Sequence, residues 1–173
     1  MFFHLIYSIF VEKLESMKTI TLETQVKVYA YHELSAEDLA LTDAALEATR
    51  RSYAPYSRFH VGAAALLENG IVVTGTNQEN VASPSGLCAE RTTLFYANSQ
   101  YPDVPVVALA IAACSEDGVT PSYPISPCGA CRQVMLETEK RYRKPMRILL
   151  CGAEEVYVVE SARDLLPFAF DNY

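Results

Sequence analysis

Val106-Val107-Ala108-Leu109-Ala110-Ile111-Ala112-Ala113 is a run of eight apolar residues with no polar break. A strand that shows one face to water alternates apolar with polar residues. An unbroken apolar run instead fits a strand covered on both faces. Such a strand belongs in a sheet with helices on either side. Working outward, residues 88–100 read as a helix, with Leu94, Phe95 and Ala97 as candidate buried positions. Residues 128–142 read as a second buried helix, through Val134, Met135 and Leu136. Upstream, residues 59–67 and 71–76 are apolar runs parted by Glu68-Asn69-Gly70, and an Asn-Gly turn there predicts a hairpin. Ser35, with Asp38 three residues on, has the form of a helix N-cap. Leu39, Leu41, Ala45, Leu46 and Ala48 then recur at roughly helical spacing up to Tyr53, and Pro55 is the expected stop. Residues 147–151 and 156–159 read as short strands, and Ser161 caps a last turn before Leu165-Leu166-Pro167. The order predicts an α/β fold: a three-layer α/β/α sandwich, with a mixed five-stranded sheet and helices on both faces.

A chain of 173 residues suits one such domain, which we place at residues 31–173. Residues 1–30 are expected to be an N-terminal extension, partly disordered. Within it, residues 2–11 form a mostly apolar run of about ten, too short to cross a bilayer. No Lys or Arg precedes that run and no small-residue cleavage pattern follows it, so it does not read as a signal peptide. No membrane partner is expected. The net charge of -7 argues against a polyanion partner, because nucleic-acid binders present a basic face to the phosphates. A small neutral substrate meets no such barrier. The five cysteines are an odd number in a chain too long for a disulfide-stapled module, which points to a reducing compartment, the cytoplasm. Cys114 and Cys151 each end a predicted buried strand and read as core thiols.

Two segments carry chemistry: Cys88-Ala89-Glu90-Arg91 and Pro127-Cys128-Gly129-Ala130-Cys131-Arg132. Each falls where a loop is expected to become a helix. The unpaired amides and partial positive charge of a helix N-terminus favour thiolate over thiol, and thiolate is the form that binds zinc. Cys128 and Cys131 share one side of a helical turn, and Cys88 completes three ligands if the two helices start side by side. Three protein ligands leave the fourth position of a zinc ion open, as catalytic sites require. Glu90, two residues past Cys88, can approach that open position without ligating, which suits a proton shuttle. Three thiolates give a zinc site a net charge of about -1, and Arg91 is placed to offset it by donating to ligand sulfurs. A bare Cys-x-x-Cys also fits a redox pair or a structural metal clip, but those readings leave Cys88 and Glu90 without a role.

At these residues the chain resembles the small homotetrameric cytidine deaminases of pyrimidine salvage. The likeness runs from about Leu39 to Phe170. It is carried by the segment 53–59 with Val61-Gly62-Ala63-Ala64, by Asn77-Gln78-Glu79-Asn80, by the two zinc segments, and by Leu165-Leu166-Pro167 with Phe170. The resemblance implies one Zn2+ per subunit and hydrolytic deamination of cytidine and deoxycytidine. It implies that Asn77 and Glu79 bind the sugar hydroxyls and that Phe59 packs near sugar and base. The Ala89 amide and the Ser126 carbonyl would hold the pyrimidine edge. Phe170 would stack on the base in a neighbouring subunit's site, which implies a homotetramer with sites at subunit interfaces. One departure is Ser83-Pro84-Ser85, where the family often carries an aromatic residue. None of His4, His32 and His60 matches a metal position. The alternatives are a related aminonucleoside deaminase of the blasticidin type, a polynucleotide deaminase, or a non-catalytic zinc-binding module.

Overall fold

The computed structural model describes residues 18–171; the apolar run at residues 2–11 lies outside them. Strand β4 (Val106–Ser115) has only its ends open to any solvent. Its residues alternate between two cores. Leu109 and Ile111 join Ala63, Ala65, Leu94, Met135 and Ile148 on one face of the sheet. Ala108, Ala110 and Ala112 join Leu41, Ala45, Ala64 and Leu149 on the other. The period of two along a strand makes this division, and the absence of any polar residue in 106–113 is what permits it.

Around β4 lie β1 (Lys27–Ala30), α1 (Ala36–Thr49), β2 (Phe59–Leu67), β3 (Val72–Thr76), α2 (Ala89–Gln100), α3 (Gly129–Tyr142), β5 (Arg147–Cys151) and β6 (Glu155–Val159). The sheet order is β1-β6-β5-β4-β2-β3, with β4 and β5 parallel and every other pair antiparallel. Helix α1 covers one face through Leu41 and Ala45, while α2 and α3 cover the other through Leu94 and Met135. The sandwich is as expected, but the sheet has six strands and not five. The additional strand is β1, in the stretch read as an extension. It pairs with β6 from Lys27 opposite Val158 to Ala30 opposite Glu155. Tyr29 packs on the α1-side core, and the Thr24 hydroxyl donates to the Asp164 carbonyl.

Three local readings change. Helix α1 ends at Thr49, before Pro55, because Tyr53 already forms a bridge with Gln78 and must be extended there. On α1, Leu41, Ala45 and Ala48 face the core, whereas Leu39 and Leu46, seven residues apart on the other side, are exposed. On α2, Leu94 and Ala97 are buried but Phe95 is 49% exposed. Cys114 and Cys151 are both buried, as expected of core thiols.

Two glycines set how closely helices approach the sheet. A Cβ on Gly62 would lie 2.2 Å from the Ala45 carbonyl oxygen of α1, and one on Gly75 would lie 2.8 Å from the Thr93 amide nitrogen of α2. The absence of side chains there lets both helix backbones rest on β2 and β3. For α2 the close approach also sets where its first turn, with Ala89 and Glu90, emerges.

Candidate active site

Helices α2 and α3 begin beside each other on the same face, and their N-caps are Cys88 and Cys128. Neither cap makes the usual side-chain bond to its own helix, so both sulfurs are turned elsewhere. They meet the sulfur of Cys131, one turn into α3. Cys128 Sγ is 3.4 Å from Cys131 Sγ and 3.9 Å from Cys88 Sγ, and all three lie within 4.8 Å of one another. Zinc–sulfur bonds of about 2.3 Å in a tetrahedron place the sulfurs about 3.8 Å apart. The three thiols therefore fit one zinc ion. None of the five cysteines is in a disulfide.

The thiols do not titrate alike. Hydrogen bonding from the Cys131 thiol, then from the Arg91 guanidinium and the Cys128 thiol, brings the Cys88 thiol down to about 5 against the opposing effect of burial. The Cys88 thiolate and burial push Cys131 up, because two adjoining thiolates repel. The pair thus favours the thiolate on Cys88 and disfavours it on Cys131. Arg91 Nη2 donates to Cys88 Sγ at 3.7 Å. Its Nε is buried with no hydrogen-bond partner among the described residues.

Glu90 is 4% exposed. Burial, then the charge on Cys88, raises the pKa of its carboxyl, so it holds a proton more readily than an ordinary glutamate. It lines a cavity of about 650 Å³ together with Cys88 and Cys128. Phe59, Asn77, Glu79, Arg91 and Ser126 line the same cavity, and Val61, Leu87, Ile111 and Ile125 supply apolar wall. Ala89 is fully buried at the start of α2 and does not line the cavity. Phe170 is 71% exposed and also lies outside the lining, with its backbone bonded both ways to the Gln133 side chain.

Asn77 and Glu79 follow β3; Asn77 bonds to the start of β2 and Glu79 to the turn ahead of it. Asn77 Oδ1 accepts from the Val61 amide and its Nδ2 donates to the Phe59 carbonyl, both at 2.8 Å, continuing the ladder where β3 has ended. One N–H and one lone pair of that amide remain. Glu79 accepts from the backbone amides of Tyr56 at 2.8 Å and Ser57 at 3.2 Å. Hydrogen bonding from the Ser57 side chain and then the Tyr56 amide holds its carboxyl below the usual carboxylate range. Nothing in the sequence marks Tyr56 and Ser57 for this part, because backbone amides leave no signature in residue identity.

The family described as the cytidine and deoxycytidylate deaminase zinc-binding region matches residues 35–144, which include all three cysteines and Glu90. This chain belongs to that family. Among deaminase relatives, the cytidine deaminase of Halalkalibacterium halodurans is 47% identical over 93 residues, covering 54% of this chain and 65% of the relative. The match to that of Sporosarcina psychrophila likewise spans 62% of the relative's length. The cytidine deaminase of Mycobacterium tuberculosis is 40% identical over 129 residues, 73% of this chain and 84% of the relative. A crystal structure of cytidine deaminase from Burkholderia pseudomallei superposes with a TM-score of 0.63 at 41% identity, covering 76% of this deaminase-family chain and 97% of that one. The matched family region begins at residue 35, so strand β1 lies ahead of it.

Proposed function

We propose that this chain is a zinc-dependent hydrolase that converts cytidine and deoxycytidine to the uridine forms with release of ammonia. The observation that carries the reading is three converging sulfurs with a buried, proton-holding Glu90 on the wall of the same cavity. Cys88, Cys128 and Cys131 would hold the ion. Bound zinc would supply a nucleophilic water at neutral pH for attack on C4 of the pyrimidine. Glu90 holds and moves the protons: it takes one from the attacking water and delivers it to N3, then takes the second from the hydroxyl added at C4 and delivers it to the departing amino nitrogen. Its burial favours the protonated form that such a donor needs. Arg91 draws charge from Cys88, which tempers the excess negative charge of three thiolates.

Asn77 and Glu79 bind the sugar hydroxyls, the first with its remaining N–H and lone pair, the second as a fixed anion. Phe59 packs near sugar and base, and the Ser126 carbonyl holds the pyrimidine edge. Among the described residues lining the cavity the charged groups are Glu79, Glu90 and Arg91, and Arg91 is directed at Cys88. The Glu79 anion, with no cation left for a phosphate, favours a nucleoside over a nucleotide. Phe170, whose side chain is exposed on this chain, would stack in a neighbouring subunit's site within a homotetramer. No helix among the described residues is long and apolar enough to cross a membrane. We place the enzyme in the cytoplasm, where its thiols stay reduced.

Following ultraviolet absorbance of the purified chain with cytidine, deoxycytidine and deoxycytidylate, with zinc measured alongside, tests the reading. The two nucleosides should turn over and the nucleotide should not. Turnover of neither nucleoside by zinc-loaded protein would refute it.

A further inference from the structure

Arg132 is the residue after the third sulfur, and its guanidinium is spent entirely on backbone. Its Nε donates to the Pro127 carbonyl at 2.8 Å and its Nη1 to the Leu165 carbonyl at 2.9 Å. Among the described residues no carboxylate forms an ion pair with it. A cation in the first turn of a helix opposes the macrodipole, so this placement is unfavourable unless the side chain is used. It folds back along α3 past the helix start, the direction in which helical side chains lean.

The Pro127 carbonyl belongs to the peptide plane that joins Pro127 to Cys128. With that oxygen bound to Arg132, rotation of the plane is blocked, and with it the direction in which Cys128 leaves the backbone. Cys128 lacks a side-chain capping bond; its carbonyl accepts from the Arg132 amide, which holds the helix side of the residue, and the Arg132 side chain holds the Pro127 side. The adjoining Ile125 and Ser126 are cavity wall. Leu165 is the last residue of the short 3-10 turn at Ala162–Leu165, which packs on α3. One side chain therefore ties the metal loop to the C-terminal segment.

We propose that Arg132 is a positioning residue, which fixes Cys128 and the Ile125–Ser126 wall by fastening the Pro127 and Leu165 carbonyls together. Two acceptors on separate segments need two donors on a rigid fork. Lysine can reach one of them, and glutamine is too short to span both. The inference rests on the zinc site proposed above.

Arg132→Gln and Arg132→Lys would be compared with Ile148→Val, a core change on β5 outside the cavity lining that lowers stability by itself. Three quantities are read: zinc affinity by chelator competition, the cytidine KM, and the thiolate-to-metal absorption of the cobalt-substituted protein. Arg132→Gln should weaken zinc binding by roughly 10- to 100-fold, raise KM and shift the cobalt band, with Arg132→Lys in between. Ile148→Val should lower the melting temperature and leave all three at wild-type values. If Arg132→Gln does not fold, Arg132→Lys decides alone. Zinc affinity and KM within about twofold of wild type in the folded Arg132 variants, with wild type binding zinc and turning over, overturn the inference alone. A wild-type chain that binds no zinc overturns the reading of the site, and this inference with it.

Discussion

Glu90 is the residue on which the chemistry turns. Its carboxyl lies in a nearly closed environment beside the sulfurs, so its removal takes away the proton carrier and leaves the ligands in place. Glu90→Gln should cut kcat by roughly 10²- to 10⁴-fold while the protein purifies with its zinc. Steady-state kinetics with metal analysis checks this, and near-normal turnover would rule the assignment out. Arg91→Gln is expected to lower turnover by about 10- to 100-fold and largely spare zinc content, because the guanidinium adjusts charge on sulfur without ligating. Residue identity made these positions legible: cysteine and glutamate at helix starts announce their chemistry. Other parts of the site are made of backbone, namely the amides that anchor Glu79 and the carbonyls that hold Arg132. Any residue supplies those groups, so no spacing pattern reveals them.

At the scale of elements, the site depends on where α2 and α3 start. Gly75 lets α2 rest on β3, and a methyl group there meets the Thr93 backbone. Gly75→Ala should therefore destabilise the fold by about 1–3 kcal/mol and weaken zinc binding by shifting the first turn of α2. A melting curve with a zinc titration would show both, and an unchanged zinc affinity would mean that the helix start is held by something else. At the other end of α3, the buried Glu139 carboxylate accepts from the Met146 and Ala162 amides and from the Ser161 hydroxyl. Glu139→Ala would strand two buried N–H groups and should lower stability by about 2–5 kcal/mol by denaturant titration. The helices were legible as spacing but less so as phase. Periodicity gave 94 and 97 correctly, yet it could not tell that Phe95, one residue round the helix, faces out.

For the whole molecule, residues 106–113 identify the architecture because covering a strand on both faces demands an apolar side chain at every position. Strand β1 carried no such mark. Lys27–Ala30 is exposed to half-buried at an edge of the sheet, and its pairing with β6 is a long-range event that four residues do not advertise. The fold brings two helix starts, some forty residues apart in the chain, to one corner of one cavity. Dialysis against a strong zinc chelator should abolish activity, and one equivalent of zinc should restore it. X-ray absorption at the zinc edge of the purified chain tests the three-sulfur site most directly. The expected spectrum has three sulfurs at about 2.3 Å and one lighter oxygen ligand, from a metal held open for chemistry. Four sulfur neighbours, or an edge showing no zinc while Cys128 and Cys131 are joined as a disulfide, would contradict the account.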